Sequence, residues 1–397
     1  MDLINKNMTL GEITTKYPDT KTLFKSKNIT GFEDPGKANI LNKLTLEMLS
    51  KSKKINLEIL TDLLNSFVEK NETDITTEER EHIKDAVNVI GLLPCPIRIP
   101  LLESIKNLDD SDPELSFNYD LKSASFGSEW MMEYLNSNDD EKIPDIFLST
   151  GFELFFSNTM AEKLSQKKLF KDTTGLEKYN KIFDGINLKD PNGNYAMIGV
   201  VPAVMLVNEE ELNGRKSPKT WEDLLKPEFE KSVSIPMGDL DLYNAVIVTL
   251  HSKFGDEGIK ALSRNFLDSL HPSQMIKADK LKVKKPAVTI TPYFFTKMLP
   301  QNSPMVMNWP EDGAILSPIF MLIKNKKDEN LEKITDFFAS KKMADILTKQ
   351  GYFPSIHPEA ENNLNDKKFI WAGWDYLYEN NIDDIIDHCT KILNENI

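Results

Sequence analysis

Residues 194–212, NYAMIGVVPAVMLVNEEEL, are followed at 218–239 by PKTWEDLLKPEFEKSVSIPMGD. The long apolar run YAMIGVVPAVMLVN indicates a strand, TWEDLL is typical of a helix, and SVSIPM has the length of a short strand. Strand, helix and strand in this order form the unit from which α/β folds are built. This stretch therefore predicts an α/β architecture.

The same alternation extends in both directions, from about residue 84 to the C-terminus. Further predicted strands are AVNVIGLLP, IPDIFLST, AVTITPYF and AILSPIFMLIK. Helical patterns lie between and after them, at IPLLESIKNL, SEWMMEYLN, DLYNAVIVTLHSKFG, DEGIKALSRNFL and ENLEKITDFFASKKMADILTKQG. The alternation predicts an α/β fold with mostly parallel strands.

The composition is that of a folded, acidic protein. Of 397 residues, 40% are hydrophobic and 28% are charged, and this length suggests about two or three domains. The net charge of −14 argues against a nucleic-acid partner or an anionic-membrane surface, because both need clustered positive charge. No apolar stretch has the length of a membrane span.

The cysteines and the N-terminus bear on location. Two cysteines, Cys95 and Cys389, are too few for a disulfide framework or a cysteine-based zinc site, although a single bridge between them stays open. The opening MDLINKNMTL lacks the basic and apolar segments of a secretory signal. We expect a cytoplasmic protein, or an exported or cell-surface one if an N-terminal segment is missing from the sequence.

Residues 1–70 predict a small all-α domain. Thr9 can cap a first helix, and Glu12 has the spacing of a capping box. An apolar face recurs further on at helical spacing, at Leu57, Leu60, Leu64 and Phe67. The polar segment that follows predicts a linker at 71–83.

The strands and helices beyond the linker resemble the type II periplasmic-binding-protein fold of ABC-transporter substrate-binding proteins, over residues 84–397. The resemblance rests on PDIFLST, the two stretches quoted first, and residues 311–363, EDGAILSPIFMLIKNKKDENLEKITDFFASKKMADILTKQGYFPSIHPEAENN, in this order. It implies a two-lobed α/β fold, with lobe one at 84–196 and 314–397 and lobe two at 197–313. A ligand cleft and hinge closure between the lobes follow from it.

The N-terminal domain is similar to the small helical domain at the N-terminus of bacterial iron–sulfur repair proteins. The matching stretches are MTLGEITTKYP, TLFKSKNI and LTLEMLSKSKKINLEILTDLLNS. Those relatives carry cysteines just after a glycine-containing turn, whereas NITGFEDPG in this chain has none. A docking or spacer role is left for the domain.

The stretch GLLPCPIRIP, residues 91–100, follows the first strand of lobe one. A cysteine nucleophile needs a base, and the spacing of the five histidines ties none of them to Cys95. The three prolines predict a rigid turn. We interpret the stretch as a ligand loop containing Cys95, Pro96 and Arg98. Arg98 either faces an anion or is an exposed or core-bridging arginine.

A second candidate loop in lobe one follows PDIFLST, at Ser149, Thr150 and Gly151. Hydroxyl groups and free backbone N–H groups at a strand end can hold a polar ligand atom. Capping of the following helix is the alternative explanation.

Lobe two offers oxygen ligands at four places. Asp239, Asp241 and Tyr243, in GDLDLYN, can bind a cation or an amine, or Asp241 simply caps its helix. Ferric-binding relatives use paired tyrosines, whereas here Phe294 follows Tyr293, so the pair is broken. Two further residues are expected to border the cleft, namely Ser273 and Glu311.

The pattern predicts a solute-binding protein of the ABC-transporter type that captures a small polar or charged ligand, or a metal complex. The alternative is a cytoplasmic ligand sensor or enzyme on the same fold, with Cys95 in the cleft. No catalytic residue, metal or cofactor is assigned, because no known catalytic motif is found. The expected partners are the ligand and, through residues 1–70, either an ABC permease or an intracellular protein.

Overall fold

The structure, a computed structural model, consists of two compact units, Met1–His82 and Ile83–Ile397. It describes residues 4–17, 20–21, 24, 29, 32, 35–53, 57, 60–61, 64–65, 83–123, 129–137, 139–152, 154–156, 160, 163–164, 167–237, 240–269, 285–299 and 303–395. Most of the linker predicted at 71–83 lies outside these ranges. Among the described residues, no helix combines the length and apolar character needed to cross a bilayer.

The first unit is helical, as predicted. Among its described residues, the helices with complete bounds are α1 (Leu10–Lys16), α2 (Pro35–Leu41) and α3 (Leu46–Lys53). The predicted capping box is present, since Thr9 Oγ1 accepts from the Glu12 N–H and the Glu12 carboxylate accepts from the Thr9 N–H. The unit has its own apolar core, at Ile4, Leu10, Ile13, Phe24, Ile29, Leu46, Leu49, Leu60 and Leu64.

The second unit contains a ten-stranded mixed sheet. Its strands are β1 (Val87–Leu93), β2 (Phe117–Ser123), β3 (Ile146–Thr150), β4 (Ala196–Asn208), β5 (Val233–Ser234), β6 (Phe266–Asp268), β7 (Val288–Pro292), β8 (Met305–Asn308), β9 (Ala314–Ile323) and β10 (Phe369–Ile370). In the part of this unit that the structure describes, the α-helices with complete bounds are α4 (Cys95–Ser111), α5 (Glu129–Leu135), α6 (Trp221–Leu224), α7 (Leu240–Asn265), α8 (Tyr293–Thr296), α9 (Glu329–Phe338), α10 (Lys341–Asp345), α11 (Trp374–Glu379) and α12 (Ile382–Asn394).

The strand order β2-β1-β3-β9-β4-β7-β5-β6 divides this sheet into two lobes. In lobe one β1 pairs in parallel with β2 and β3, and in lobe two β5 pairs in parallel with β6 and β7. The antiparallel pair β4 and β9 joins them, with β9 next to β3 and β4 next to β7. The fold is therefore the predicted two-lobed α/β fold, connected by two crossover strands.

An aromatic cluster packs around Phe320 on the return crossover β9. Five rings lie with their centroids 5.5 to 6.1 Å from that of Phe320, and they belong to Phe152, Phe155, Phe156, Tyr195 and Trp374. The Tyr195 hydroxyl donates to the Phe155 carbonyl at 2.6 Å. The ring contacts thus attach the loop after β3 to β9, and the hydrogen bond attaches it to Tyr195, directly before β4.

The TWEDLL motif anchors lobe two to the start of β9. Thr220 and Asp223 form a capping box on α6, and the Trp221 indole N–H donates to the Gly313 carbonyl at 2.8 Å. Trp221 is fully buried. The motif thus connects the helix after β4 with the turn that begins the return crossover.

Two local features differ from the sequence-based expectations. The GLLPCPIRIP stretch contains a strand end and the first turns of a helix, because only Pro94 separates β1 from α4. Pro100 lies inside α4, where the hydrogen bond that it cannot donate would have gone to the carbonyl of Pro96 in the first turn. The predicted rigid turn is therefore a short strand-to-helix junction.

The second difference concerns the C-terminus, which was assigned with residues 314–397 to lobe one. Helix α12 packs on α7 of lobe two, where the buried Ser263 hydroxyl lies 3.1 Å from the carbonyl oxygens of Ile392 and Leu393. Between α10 and α12 the chain forms β10, which pairs with β9 at Ala314 and Ile315. The packing of α12 on α7 joins residues distant in the chain, so it leaves no local sequence pattern.

Replacing Phe320 by Ala should lower the free energy of unfolding of the second unit by about 3–5 kcal/mol, because it empties the centre of the aromatic cluster. All five tryptophans lie beyond residue 82, so tryptophan fluorescence during urea denaturation reports on this unit alone. Phe320→Leu should lower the free energy of unfolding by less than Phe320→Ala does. Equal losses in the two variants would contradict a cavity at the cluster.

Candidate functional site

The two lobes meet where β3, α7 and β9 come together. The Thr150 hydroxyl, at the end of β3, donates a hydrogen bond to the Asp241 carboxylate in the first turn of α7. The Ser317 hydroxyl on β9 donates to the Asp241 backbone carbonyl at 3.3 Å. Lobe one, lobe two and the crossover thus each contribute one polar residue. We call Thr150, Asp241 and Ser317 the interlobe cluster.

Gly151 allows the lobes to approach at this point. Its φ is +77°, in the left-handed region, and its amide donates to the Pro318 carbonyl at 3.0 Å. A Cβ atom at this position would lie 3.0 Å from the Asp241 Cα and 3.2 Å from its Oδ1. Only glycine therefore fits both the backbone conformation and the space beside Asp241.

Two residues of the interlobe cluster are buried, whereas Asp241 is half-buried. Ser317 is 1% exposed and Thr150 is 4% exposed. Ser149, next to them, is also buried, and its hydroxyl points to the Thr150 carbonyl at 3.3 Å. The half-buried Asp241 carboxylate accepts from the Thr150 hydroxyl, and it can exchange that donor for a hydroxyl or ammonium group of a ligand.

The structure brings together three of the predicted site residues, Thr150, Gly151 and Asp241, with Ser149 adjacent. Ser317 was missed. The one signal for it was a hydroxyl residue within the apolar strand AILSPIFMLI, and such a residue acquires a role only once β9 is placed beside α7.

Three other predicted residues lie elsewhere. Tyr243 is buried against α12, where its hydroxyl lies 2.8 Å from the Thr390 hydroxyl, and burial raises its pKa to about 12. Tyr293 packs edge-to-face on Trp309 with ring centroids 5.3 Å apart. Glu311 is exposed and forms an ion pair with Lys219 at 3.1 Å. None of these contacts links them to the interlobe cluster.

The remaining predicted residues are only partly described. Asp239 and Ser273 lie outside the described residues, as do the side chains of Cys95 and Arg98 in α4. Pro96 is half-buried in the first turn of α4. Their roles in ligand binding stay predictions.

The second cysteine, Cys389, is a free thiol on the buried face of α12. Burial raises its pKa to about 12, with a further contribution from the nearby Asp256 carboxylate. The thiol is therefore protonated at neutral pH and is a poor nucleophile.

Comparison with known proteins agrees with this architecture. Residues 141–380 match the family described as bacterial extracellular solute-binding protein, and residues 4–61 match a domain family of unknown function. No curated protein sequence matches the chain.

Solved structures of the same fold cover most of the chain. The periplasmic binding protein AfuA from Actinobacillus pleuropneumoniae, solved with fructose-6-phosphate, is 16% identical, with 78% of this chain and 98% of that chain covered and a TM-score of 0.55. The ferric binding protein from Campylobacter jejuni is 16% identical, with 78% and 99% covered and a TM-score of 0.53. The periplasmic binding protein P5PA is 14% identical, with 78% and 99% covered and a TM-score of 0.55.

The second unit thus has the two-lobed fold of type II periplasmic binding proteins. The chain belongs to the bacterial extracellular solute-binding protein family, because the match spans more than half of its length. The structural similarities, at 14 to 16% identity, show the shared fold.

Gly151→Ala should destabilise the protein more than Gly193→Ala. Gly193 also has a positive φ, +66°, but nothing lies within 4 Å of its would-be Cβ. The left-handed backbone conformation destabilises both variants by about 1–2 kcal/mol, whereas the new Cβ atom clashes with Asp241 only in Gly151→Ala. Denaturant unfolding should show a larger loss of unfolding free energy for Gly151→Ala than for Gly193→Ala. Small-angle X-ray scattering should show a larger radius of gyration for Gly151→Ala. Identical behaviour would mean that the lobes do not approach at Gly151.

Proposed function

We propose that the chain captures a small polyhydroxylated solute between its two lobes. This proposal rests on the hydrogen bond that the Thr150 hydroxyl of lobe one donates to the Asp241 carboxylate of lobe two. A ligand hydroxyl supplies the same donor that Thr150 supplies when the lobes are in contact. Such a ligand can take over this bond while the lobes close around it.

The chemistry of the interlobe cluster supports a hydroxyl-bearing ligand over a bare ferric ion. A carboxylate accepts hydrogen bonds from hydroxyl groups, and the serine and threonine hydroxyls both donate and accept. A ferric site favours several anionic oxygen ligands, and Tyr293 is followed by Phe294 instead of a second tyrosine. The solved structures of the same fold include both ligand types, since one is a fructose-6-phosphate complex and others are ferric binding proteins.

A binding protein of this class delivers its ligand to a membrane partner. We propose an ABC permease that recognises the closed form of the second unit, as expected for a family in which lobe closure reports ligand capture. The helical first unit is a candidate docking module for a protein partner. Its deletion should leave ligand binding by the second unit intact.

The location of the protein distinguishes a permease partner from ligand sensing inside the cell. Ligand sensing takes place in the cytoplasm, whereas delivery to a permease needs an exported protein. Fractionation of the native bacterium, followed by detection of the intact chain, decides between these locations. Recovery of the chain only in the cytosol would contradict the permease proposal. Ligand sensing inside the cell would then be the function that agrees with the location.

Asp241→Asn tests the ligand proposal. Hydrogen bonds to charged groups contribute about 1.5–3 kcal/mol, so the dissociation constant should rise at least about tenfold. The measurement is isothermal titration calorimetry, after a thermal-shift panel of sugars, polyols, sugar phosphates, amines and ferric citrate has identified a ligand.

Asp336→Asn is the matched control, because Asp336 is an exposed carboxylate on α9 in lobe one. It should bind the ligand like the unmodified protein. Binding of amines alone, or of ferric citrate alone, would overturn the polyhydroxylated class. Unchanged affinity in Asp241→Asn would overturn the role of the interlobe cluster.

A further inference from the structure

Three metal-ligating side chains meet on the α7–α12 face of lobe two. The His251 Nε2 lies 3.1 Å from the Asp256 Oδ1, and the His388 Nε2 lies 2.9 Å from the same oxygen. One candidate ligand atom from each of the three residues lies within 4.8 Å of the other two. These residues take no part in the interlobe cluster.

A break in α7 creates this arrangement. In a continuous helix, side chains five positions apart point about 140° away from each other, so His251 and Asp256 would not meet. Gly255 between them has φ 58° and ψ −162°, which divides α7 into two helical segments. These dihedral angles lie in a region that is essentially restricted to glycine. Gly255 thus turns Asp256 back towards His251.

The third residue comes from α12, whose position is set independently by the core. The Thr390 hydroxyl contacts that of Tyr243 at 2.8 Å, and the Ser263 hydroxyl lies 3.1 Å from the Ile392 carbonyl oxygen. His388 is half-exposed on the outer side of the helix. The core therefore holds His388 beside Asp256 without help from the cluster itself.

A fourth side chain orients His251. The Tyr376 hydroxyl lies 2.6 Å from the His251 Nδ1, so the Nε2 atom is the one that faces Asp256. Metal-bound histidines generally use their second ring nitrogen for such an outer hydrogen bond, which fixes the ring and its tautomer. With Nδ1–H donating to Tyr376, the Nε2 lone pair is available to a metal.

The distances suit a small transition ion. Zinc bonds of about 2.0–2.2 Å in tetrahedral geometry place neighbouring ligand atoms about 3.4 Å apart. The two nitrogen-to-oxygen distances, 3.1 and 2.9 Å, need to grow by only a few tenths of an ångström. Two imidazoles and one carboxylate match zinc-type ions, whereas magnesium and calcium prefer all-oxygen sites.

We propose that His251, Asp256 and His388 bind one divalent transition ion of the zinc class and thereby fasten α12 to α7. The three side chains leave a fourth coordination position, which water fills. Because the ligands come from both sides of the Gly255 break and from α12, bound metal holds three helical segments together. The site is separate from solute capture and does not depend on the ligand proposed for the cleft.

The test uses full-length, tag-free protein stripped of metal, titrated with Zn²⁺ in competition with a chromophoric chelator. One equivalent should bind, and His388→Gln should weaken its affinity at least tenfold. Asp387→Asn is the matched control, since it removes an exposed carboxylate from the same helix but leaves the cluster intact. It should bind Zn²⁺ like the unmodified protein.

Two further readouts separate a metal site from a hydrogen-bonded cluster. Co²⁺ bound to the unmodified protein should show the visible absorption bands that are typical of a low coordination number. These bands should be absent in His388→Gln and Asp256→Asn. Zn²⁺ should raise the melting temperature only where the cluster is intact. The proposal is overturned if the unmodified protein binds no Zn²⁺ at about 100 µM. Equal binding by His388→Gln also overturns it.

Discussion

The antiparallel pairing of β4 with β9 is the constraint on which the second unit depends. Ala196 pairs with Met321 and Ala203 pairs with Ile315, and every residue of both strands is buried. One end of the pair completes the sheet of lobe one and the other end completes that of lobe two. Burial of both strands on both faces makes the pair the rigid element about which the lobes are arranged.

The interlobe cluster follows from this pairing. Because β9 pairs with β3 at Thr150 and Ile319, the end of β3 lies against the crossover, and Ser317 two residues earlier reaches the first turn of α7. Thr150 and Asp241 then meet from opposite lobes. A ligand hydroxyl that accepts from Thr150 and donates to Asp241 can replace this bond without leaving either side chain unpaired, which is the physical basis of the proposed capture.

The α7–α12 face shows how one backbone break changes the chemistry of a surface. The break at Gly255 brings Asp256 and His251 together, and core contacts place α12 so that His388 completes the set. The sequence predicts two separate helices over the two parts of α7, which agrees with the break. It gives no signal for His251 and His388, since a separation of 137 positions carries no spacing pattern.

The sequence by itself determined the α/β class and the strands that are long and apolar, because burial on both faces requires continuous hydrophobic runs. The two-lobed arrangement was implied by the resemblance to periplasmic binding proteins and not by the hydrophobic pattern. It also predicted the Thr9 capping box, which depends on residues three apart. The tertiary structure alone decided that Ser317 joins Asp241, that Tyr243 faces α12, and that His388 meets Asp256. Such contacts join residues distant in the chain, so they are set by strand register and helix packing and leave no local pattern.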